Sequence, residues 1–178
     1  NENISYTQTL TTPVVESTDQ SYGLNFTFTN MTVIDVEAQF YWNNTTVPTT
    51  KVNNTNFTAS QQLVLGSGTF GTYWNYNVTT TTNTTAYNTS NQNQVVTAFN
   101  VTNSSGNATL NVEFRDGTNN SLITNVTFTP VFSKVWYNNV SKYKNYSLQY
   151  NNSANNYTIY KNPGTINLTV DALLTYSA

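Results

Sequence analysis

The sequence predicts an all-β fold, an antiparallel β-sandwich, on three observations. Apolar and polar residues alternate along most of the chain, the period-two signature of half-buried strands. Turn pairs punctuate that alternation, among them Asp116-Gly117, Asn138-Asn139 and Asn162-Pro163-Gly164. Helical periodicity is hard to find, so short strands succeed one another directly and pack as two layers.

Taken in order, the first element is a long amphipathic strand in which Ile4, Tyr6, Leu10, Thr12 and Val14 alternate with Ser5, Thr7, Thr9 and Thr11. Gln8 interrupts its apolar face, and no tight hairpin ties it to the body of the chain. A polar stretch from Glu16 to Ser21 comes next, with two acids and nothing to bury. An isolated amphipathic strand does not persist alone in water. It is either the first strand of its own sandwich or an insert in another subunit. Further strands are expected at Leu24–Phe28, Val36–Trp42, Phe70–Val78, Val95–Val101, Ala108–Phe114, Leu122–Phe128, Val131–Tyr137, Tyr146–Tyr150 and Tyr157–Tyr160. The clearest strand is the last, where Ile166, Leu168, Val170, Ala172, Leu174 and Tyr176 share one face. Thr79 to Gln94 is low in complexity and polar, and reads as a surface loop.

Twenty asparagines open an Asn-x-Ser/Thr triplet without central Pro, the acceptor for N-linked glycan. They are Asn3, Asn25, Asn30, Asn43, Asn44, Asn53, Asn56, Asn77, Asn83, Asn88, Asn100, Asn103, Asn107, Asn119, Asn125, Asn139, Asn145, Asn151, Asn156 and Asn167. With 31 Asn, 34 Thr and 14 Ser in 178 residues, random order gives roughly 8 such matches. The excess says that the spacing is selected and that the protein works outside the cell. Sequon and strand share a period, because Asn and the Ser/Thr two residues on lie on one face while the middle residue points the other way. In twelve triplets that middle residue is apolar: Ile4, Phe26, Met31, Phe57, Val78, Val101, Ala108, Val126, Val140, Tyr146, Tyr157 and Leu168. Those triplets read as strands with sugar outside and a side chain in the core.

Only 8% of the residues are charged, against about 25% in an ordinary globular protein. The chain has eight carboxylates and no His, so protonating every carboxylate moves the formal charge from −2 to +6. Amides and hydroxyls do not titrate between strong acid and neutrality, so folding couples weakly to pH across that range. The composition suits an acidic exterior; absence of His by chance in an Asn/Thr-biased proteome would explain it equally well. Cys is absent, so stability comes from the core, from glycan or from neighbouring chains rather than from disulfides. No apolar run approaches the roughly 20 residues of a membrane helix, so no membrane insertion of the mature chain is expected. A strand-like start at Asn1 suggests secretion with a removed signal peptide.

Conventional catalytic and metal signals are missing, so no catalytic, cofactor-binding or metal residues are expected. Without Cys or His there is no thiol nucleophile, imidazole base or His-based metal cluster. Glu113 and Asp116 read as an outward residue and a turn former rather than as a glycosidase pair. Lys134, Lys142 and Lys144 lie near Trp136, Tyr137 and Tyr143. That footprint is too weak to suggest nucleic acid in a chain of pI about 4.8. Tyr41-Trp42, Tyr73-Trp74 and Trp136-Tyr137 each put one ring inward and one outward, so they read as core rather than as a sugar-stacking surface.

Dense sequons, richness in Asn, Thr and Tyr, absence of Cys and His, all-β patterning and a detached first strand together resemble the thread filament subunits of thermoacidophilic crenarchaea. That family is similar in fold to bacterial chaperone–usher pilins, which implies an Ig-like or pilin-like antiparallel β-sandwich completed by an N-terminal donor strand from a neighbouring subunit. The resemblance covers the whole chain in character and rests on no short motif. It implies a homo-polymeric, glycosylated cell-surface filament joined by donor-strand complementation and serving adhesion or cell-cell contact. Residues 1–17 would hold the donor strand, with Ile4, Tyr6, Leu10 and Val14 inserted in the next subunit. Residues 18–23 would be a hinge and 24–178 a single sandwich. The C-terminal strand, with Ile166, Leu168, Val170 and Leu174, would flank the gap. About 11 extended residues would span roughly 36 Å. Two other readings stand beside this one. One is a monomeric S-layer-associated or carbohydrate-binding sandwich, favoured if the first strand pairs within its own sandwich. The other is a secreted jelly-roll glycosidase, which would need two facing acids.

Overall fold

The computed structural model describes residues 2–150 and 154–177 and is all-β, with no helix among them. The chain divides into two compact units, Asn1–Thr97 and Ala98–Ala178. This corrects the expected single sandwich over 24–178, and the sequence around the boundary explains it. Val96 is buried in the first unit and Phe99 in the second, three positions apart. Side chains at that spacing cannot share one face of a strand. The expected strand Val95–Val101 therefore ends at Thr97 and a new one starts at Asn100.

Among the described residues the first unit has ten strands: β1 (Asn3–Thr9), β2 (Val14–Val15), β3 (Asp19–Thr29), β4 (Val33–Trp42), β5 (Thr45–Val47), β6 (Thr49–Asn53), β7 (Asn56–Gln62), β8 (Gly68–Thr80), β9 (Thr84–Asn88) and β10 (Gln92–Thr97). One sheet runs β1-β3-β7-β6, and the other runs β2-β10-β8-β4-β5 with β9 also on β8. Between them lies an aromatic core. Leu24, Phe40, Phe57 and Trp74 are each at most 1% exposed. Phe40 stacks on Tyr22 at 4.3 Å and meets Trp74 at 4.9 Å between ring centroids. Burying such rings supplies much of the apolar area that a chain so poor in charge relies on. Trp42 and Trp74 point inward while Tyr41 and Tyr73 face out, as alternation requires.

The N-terminal segment belongs to this unit. β1 pairs antiparallel with β3, Asn3 opposite Thr29 through Thr9 opposite Gly23. The expected donor residues are therefore placed in their own chain. Ile4, Tyr6 and Leu10 pack half-buried against the core, and Val14 is buried on β2. The segment is not one continuous strand. β1 ends at Thr9, and Pro13, which has no N–H to give a ladder, precedes the crossing to the opposite sheet, where β2 runs parallel to β10. Gln8 is also accounted for: its amide nitrogen donates to the Ser90 carbonyl at 3.0 Å, and its oxygen accepts from the Thr89 hydroxyl at 3.1 Å.

Two further expectations are corrected here. The hinge over 18–23 is instead the start of β3, with Asp19 opposite Gln62 and Tyr22 buried. Neighbouring Glu16 and Ser17, expected to have nothing to bury, are both fully buried, and Glu16 accepts a bond from the Gly66 N–H. The stretch from Thr79 to Gln94 is not a loop throughout, since β9 pairs with β8 from Thr84 to Asn88. β9 is mostly exposed, so backbone ladder bonds hold it rather than an apolar face.

Among the described residues the second unit has six strands: β11 (Asn100–Thr102), β12 (Asn107–Glu113), β13 (Thr127–Trp136), β14 (Tyr143–Ser147), β15 (Asn156–Asn162) and β16 (Thr169–Ser177). They form two three-stranded sheets, β11-β15-β12 and β14-β13-β16. Phe99, Val126, Phe128, Phe132, Val135, Tyr157 and Ile159 are buried in this unit. The expected strand Leu122–Phe128 is present only as isolated bridges at Leu122 and Val126 before β13 begins. Asn125 has φ 61, a left-handed conformation that turns the chain and ends extension.

Candidate functional site: an open seam and a sequon-bearing surface

Among the described residues, no strand pairs with the outer edge of β12 or of β16 in the second unit. β12 and β16 are edge strands of their respective sheets. Register fixes which face of β16 points inward: Tyr176 lies opposite Phe128, Leu174 opposite Pro130 and Ala172 opposite Phe132, and all three partners on β13 are buried. That inward face is nevertheless open, with Val170 and Leu174 each 44% exposed and Tyr176 62%. On β12, Leu110 lies opposite the buried Ile159 and is itself 43% exposed. A cleft of about 110 Å³ runs between the two sheets, lined by Val101, Leu110, Phe132, Ile159, Leu168 and Val170 among others. Phe114 and Tyr176 meet at 4.7 Å in the same unit.

The C-terminal residues expected to flank a gap are thus distributed in two ways. Leu168 and Val170 line the cleft. Leu174 continues the open inward face of β16, whereas Ile166 precedes the strand and is buried. An open pair of edges with an apolar floor can accept an extended segment, which would gain ladder bonds along one edge and bury alternate side chains.

Of the twenty sequon asparagines, Asn151 lies outside the described residues, Asn56 and Asn139 are half-buried, and the others are exposed. The period argument holds for most of the strand sequons. Phe26, Phe57, Val78, Val101, Val126 and Tyr157 are buried, and Ile4, Met31, Tyr146 and Leu168 are half-buried. Ala108 and Val140 are exposed exceptions. The eight triplets with a polar middle residue read as loops, and sequons such as Asn53, among those eight, and Asn139, at an expected turn, prove to be Asx turns. Asn53 Oδ1 accepts from the Thr55 N–H and hydroxyl, both at 2.8 Å. Asn139 Oδ1 likewise accepts from the Ser141 N–H at 2.9 Å and its hydroxyl at 2.7 Å. Short polar side chains bond their own backbone in this way wherever the chain turns.

Register also sets two sequons in direct competition. Asn25 and Asn56 are cross-strand partners on β3 and β7, and Asn56 Nδ2 donates to Asn25 Oδ1 at 2.9 Å. Facing Cβ atoms in such a pair are only about 5 Å apart, too close for two glycans to leave the sheet side by side. We expect glycopeptide mass spectrometry to find molecules carrying sugar at Asn25 or at Asn56 but almost none carrying both. Asn25→Gln should then raise occupancy at Asn56. Adjacent Asn43 and Asn44, both at positive φ, should show the same exclusion, whereas Asn167, exposed beside β16, should be filled.

Several charged residues are occupied in local contacts. Glu113 forms an ion pair with Arg115 at 2.9 Å, and Asp35 pairs with Lys51. Asp116 accepts from the Thr118 N–H at 2.7 Å in its turn. Lys134 sits 5.2 Å over the Tyr143 ring, and Lys144 donates to the Phe99 carbonyl at 3.0 Å. Among the described residues, no group of three or more His, Cys, Asp or Glu could hold a metal.

Two exposed carboxyls have lowered pKa values: Asp35 through its hydrogen bond from Lys51, and Asp116 through its bonds from Thr118. Their contribution is present above the usual Asp range and fades as pH falls through the depressed values. Solvent screens both groups, so thermal unfolding should change little from neutral to strongly acidic solution. Alkali acts the other way. Burial, only partly offset by a hydrogen bond with Gln94, pushes Tyr22 up to about 12. The unfolded phenol ionises near 10 while the folded one does not, so stability should fall as pH rises from about 10 toward 12. Melting curves across that range, against Tyr22→Phe, would check it; an equal alkaline loss in the variant would rule Tyr22 out as the cause.

Neither protein-family models nor curated proteins contain a match to this chain.

Proposed function

We propose that this chain is a structural subunit of an N-glycosylated extracellular filament, assembled from copies of itself by strand addition at the open seam of the second unit. The seam carries the reading: two free strand edges with apolar residues between them form a surface that a solitary soluble unit does not normally leave uncovered. Its occupant would be the N-terminal segment of another copy. β1 is an edge strand whose inward Ile4 and Tyr6 are only half-buried in its own unit, so transfer would trade one ladder for another and deepen their burial. A head-to-tail contact of this kind does not close on itself and propagates as a fibre. Glycan on the exposed sequons would keep fibres from associating side by side.

One observation favours the monomeric surface module instead. β1 has a built place in its own unit: Gly23 lies opposite Thr9, and a Cβ there would come within 2.5 Å of the Thr9 hydroxyl. Gln94 also donates to the Thr11 carbonyl at 3.2 Å. Electron microscopy and unheated gel electrophoresis of the natively glycosylated protein separate the two. Filaments and detergent-resistant ladders are expected, and both should be lost on deleting Asn1–Val15 and partly restored by that segment as a free peptide. Discrete particles of one chain would leave the monomeric module as the function.

A further inference from the structure

The outer face of β4, β8 and β9 carries a second surface that neither the seam nor the core explains. Register arranges it in rows. Tyr41 faces Tyr73; Gln39 faces Asn75, which faces Asn88; Glu37 faces Asn77, which faces Ala86. The Tyr41 and Tyr73 rings stack at 4.8 Å, with 4° between their planes. Next to them is a furrow of about 550 Å³ whose lining includes Tyr41, Gln39, Asn75, Asn77 and Asn88, within the size range of small-ligand sites. Ala86 in the third row leaves room beside Asn77.

One atom in the furrow is out of place for a bare surface. Asn75 Oδ1 is buried and has no hydrogen-bond partner. A buried acceptor without a donor costs about 1–3 kcal/mol, and nearly all such groups in folded proteins are satisfied. We propose that this furrow is a saccharide-binding site in which the Asn75 amide turns into the furrow and a sugar hydroxyl or N-acetyl N–H donates to its Oδ1. The rest of the lining suits that ligand. Asn77 and Asn88 offer amides, the Glu37 carboxylate accepts from hydroxyls, and Tyr41 offers an apolar ring against which the C–H face of a pyranose packs. The lining has no cation, which disfavours phosphate and nucleic acid and leaves a neutral polyhydroxyl ligand.

The sugar has two sources to distinguish. Asn77 and Asn88 are themselves sequon asparagines at the edge of the furrow, so the first residues of their own glycans could fold back into it. A glycan from a neighbouring molecule would present the same chemistry. The first source rests on the glycoprotein reading proposed for the chain; the site itself does not.

The test uses the full chain made in a host without N-glycosylation, titrated with N-acetylglucosamine, glucose and mannose and monitored by side-chain and backbone amide NMR shifts. Saturable shifts centred on Gln39, Asn75, Asn77 and Asn88 are expected with at least one sugar. Asn75→Leu and Tyr41→Ala should each weaken binding at least tenfold without lowering the melting temperature of the Leu variant. Absence of saturable shifts with all three sugars, or shifts unaffected by both substitutions, would overturn the proposal. In glycosylated protein, Thr79→Ala and Ser90→Ala remove the two sequons while keeping the lining intact. Free sugar that binds only after that removal identifies the chain's own glycan as occupant, and free sugar that binds before it identifies an external one. If Asn77 and Asn88 prove bare in the native protein while the unglycosylated chain binds sugar, those sequons drop out and the saccharide site stands.

Discussion

Leu174→Asp, and separately Leu110→Asp, should abolish filament formation while leaving the isolated chain folded. Both side chains are more than two-fifths exposed in the single chain, so a carboxylate there remains solvated and the melting temperature should move little. In an assembled filament the inserted strand would cover the same positions. A carboxylate buried without a partner costs several kcal/mol, and each 1.4 kcal/mol is about tenfold in affinity, so the joint should weaken by at least about a hundredfold. Electron microscopy of the two variants beside the parent chain, with melting curves as the folding control, reads both halves of the expectation. Filaments of normal length from either variant would mean that the seam is not the joint. Leu173→Asp is the internal control, since Leu173 faces the other side of β16, opposite Val131, and is already 64% exposed.

Gln94→Leu should cause the largest loss of stability of any volume-conserving change in the first unit. Gln94 is fully buried, and its amide oxygen accepts from the Tyr22 hydroxyl and the Trp42 indole N–H, each at 2.8 Å. Its amide nitrogen donates to the Thr11 carbonyl. The Leu variant fills the same space but leaves a phenol and an indole N–H buried without an acceptor, each costing about 1–3 kcal/mol. The expected total of about 2–6 kcal/mol is a large share of the stability of a domain. Denaturant titration measures it, and adding Tyr22→Phe in the Leu background should recover part of the loss, because one orphaned donor is then gone. A variant within about 0.5 kcal/mol of the parent would show that water reaches these groups.

Much of the sheet architecture was legible because burial in a sheet has a period of two. The strands around Leu24–Phe28, Val36–Trp42, Phe70–Val78 and Tyr157–Tyr160 concentrate their buried apolar side chains on one face, and all four form. The inward Trp and outward Tyr of the Tyr41-Trp42 and Tyr73-Trp74 pairs obey the same rule. Strands held by backbone bonds alone were not legible. β9 has no buried side chain and β6 none either, so composition marked them only as polar. The alternation of the C-terminal strand was legible, but not that its inward face is open along the seam. Its other wall, β12, has an exposed Leu110 that only pairing with Ile159 turns inward.

By itself, then, the sequence determined an all-β class, a surface of amides and hydroxyls with little to titrate, and sequons placed so that most of their middle residues face the core. These properties are local, set by residue type and by the alternation of neighbours two apart. Tertiary structure decided that the chain divides after Thr97, that Ile4–Val14 pairs with β3 and β10 of its own unit, and that Glu16 and Gln94 are buried polar groups with partners far away in sequence. It also decided that Asn25 faces Asn56. Which strand lies beside which depends on the competition among all edges and apolar faces in the folded chain, and a period-two pattern is equally satisfied by any partner that covers it.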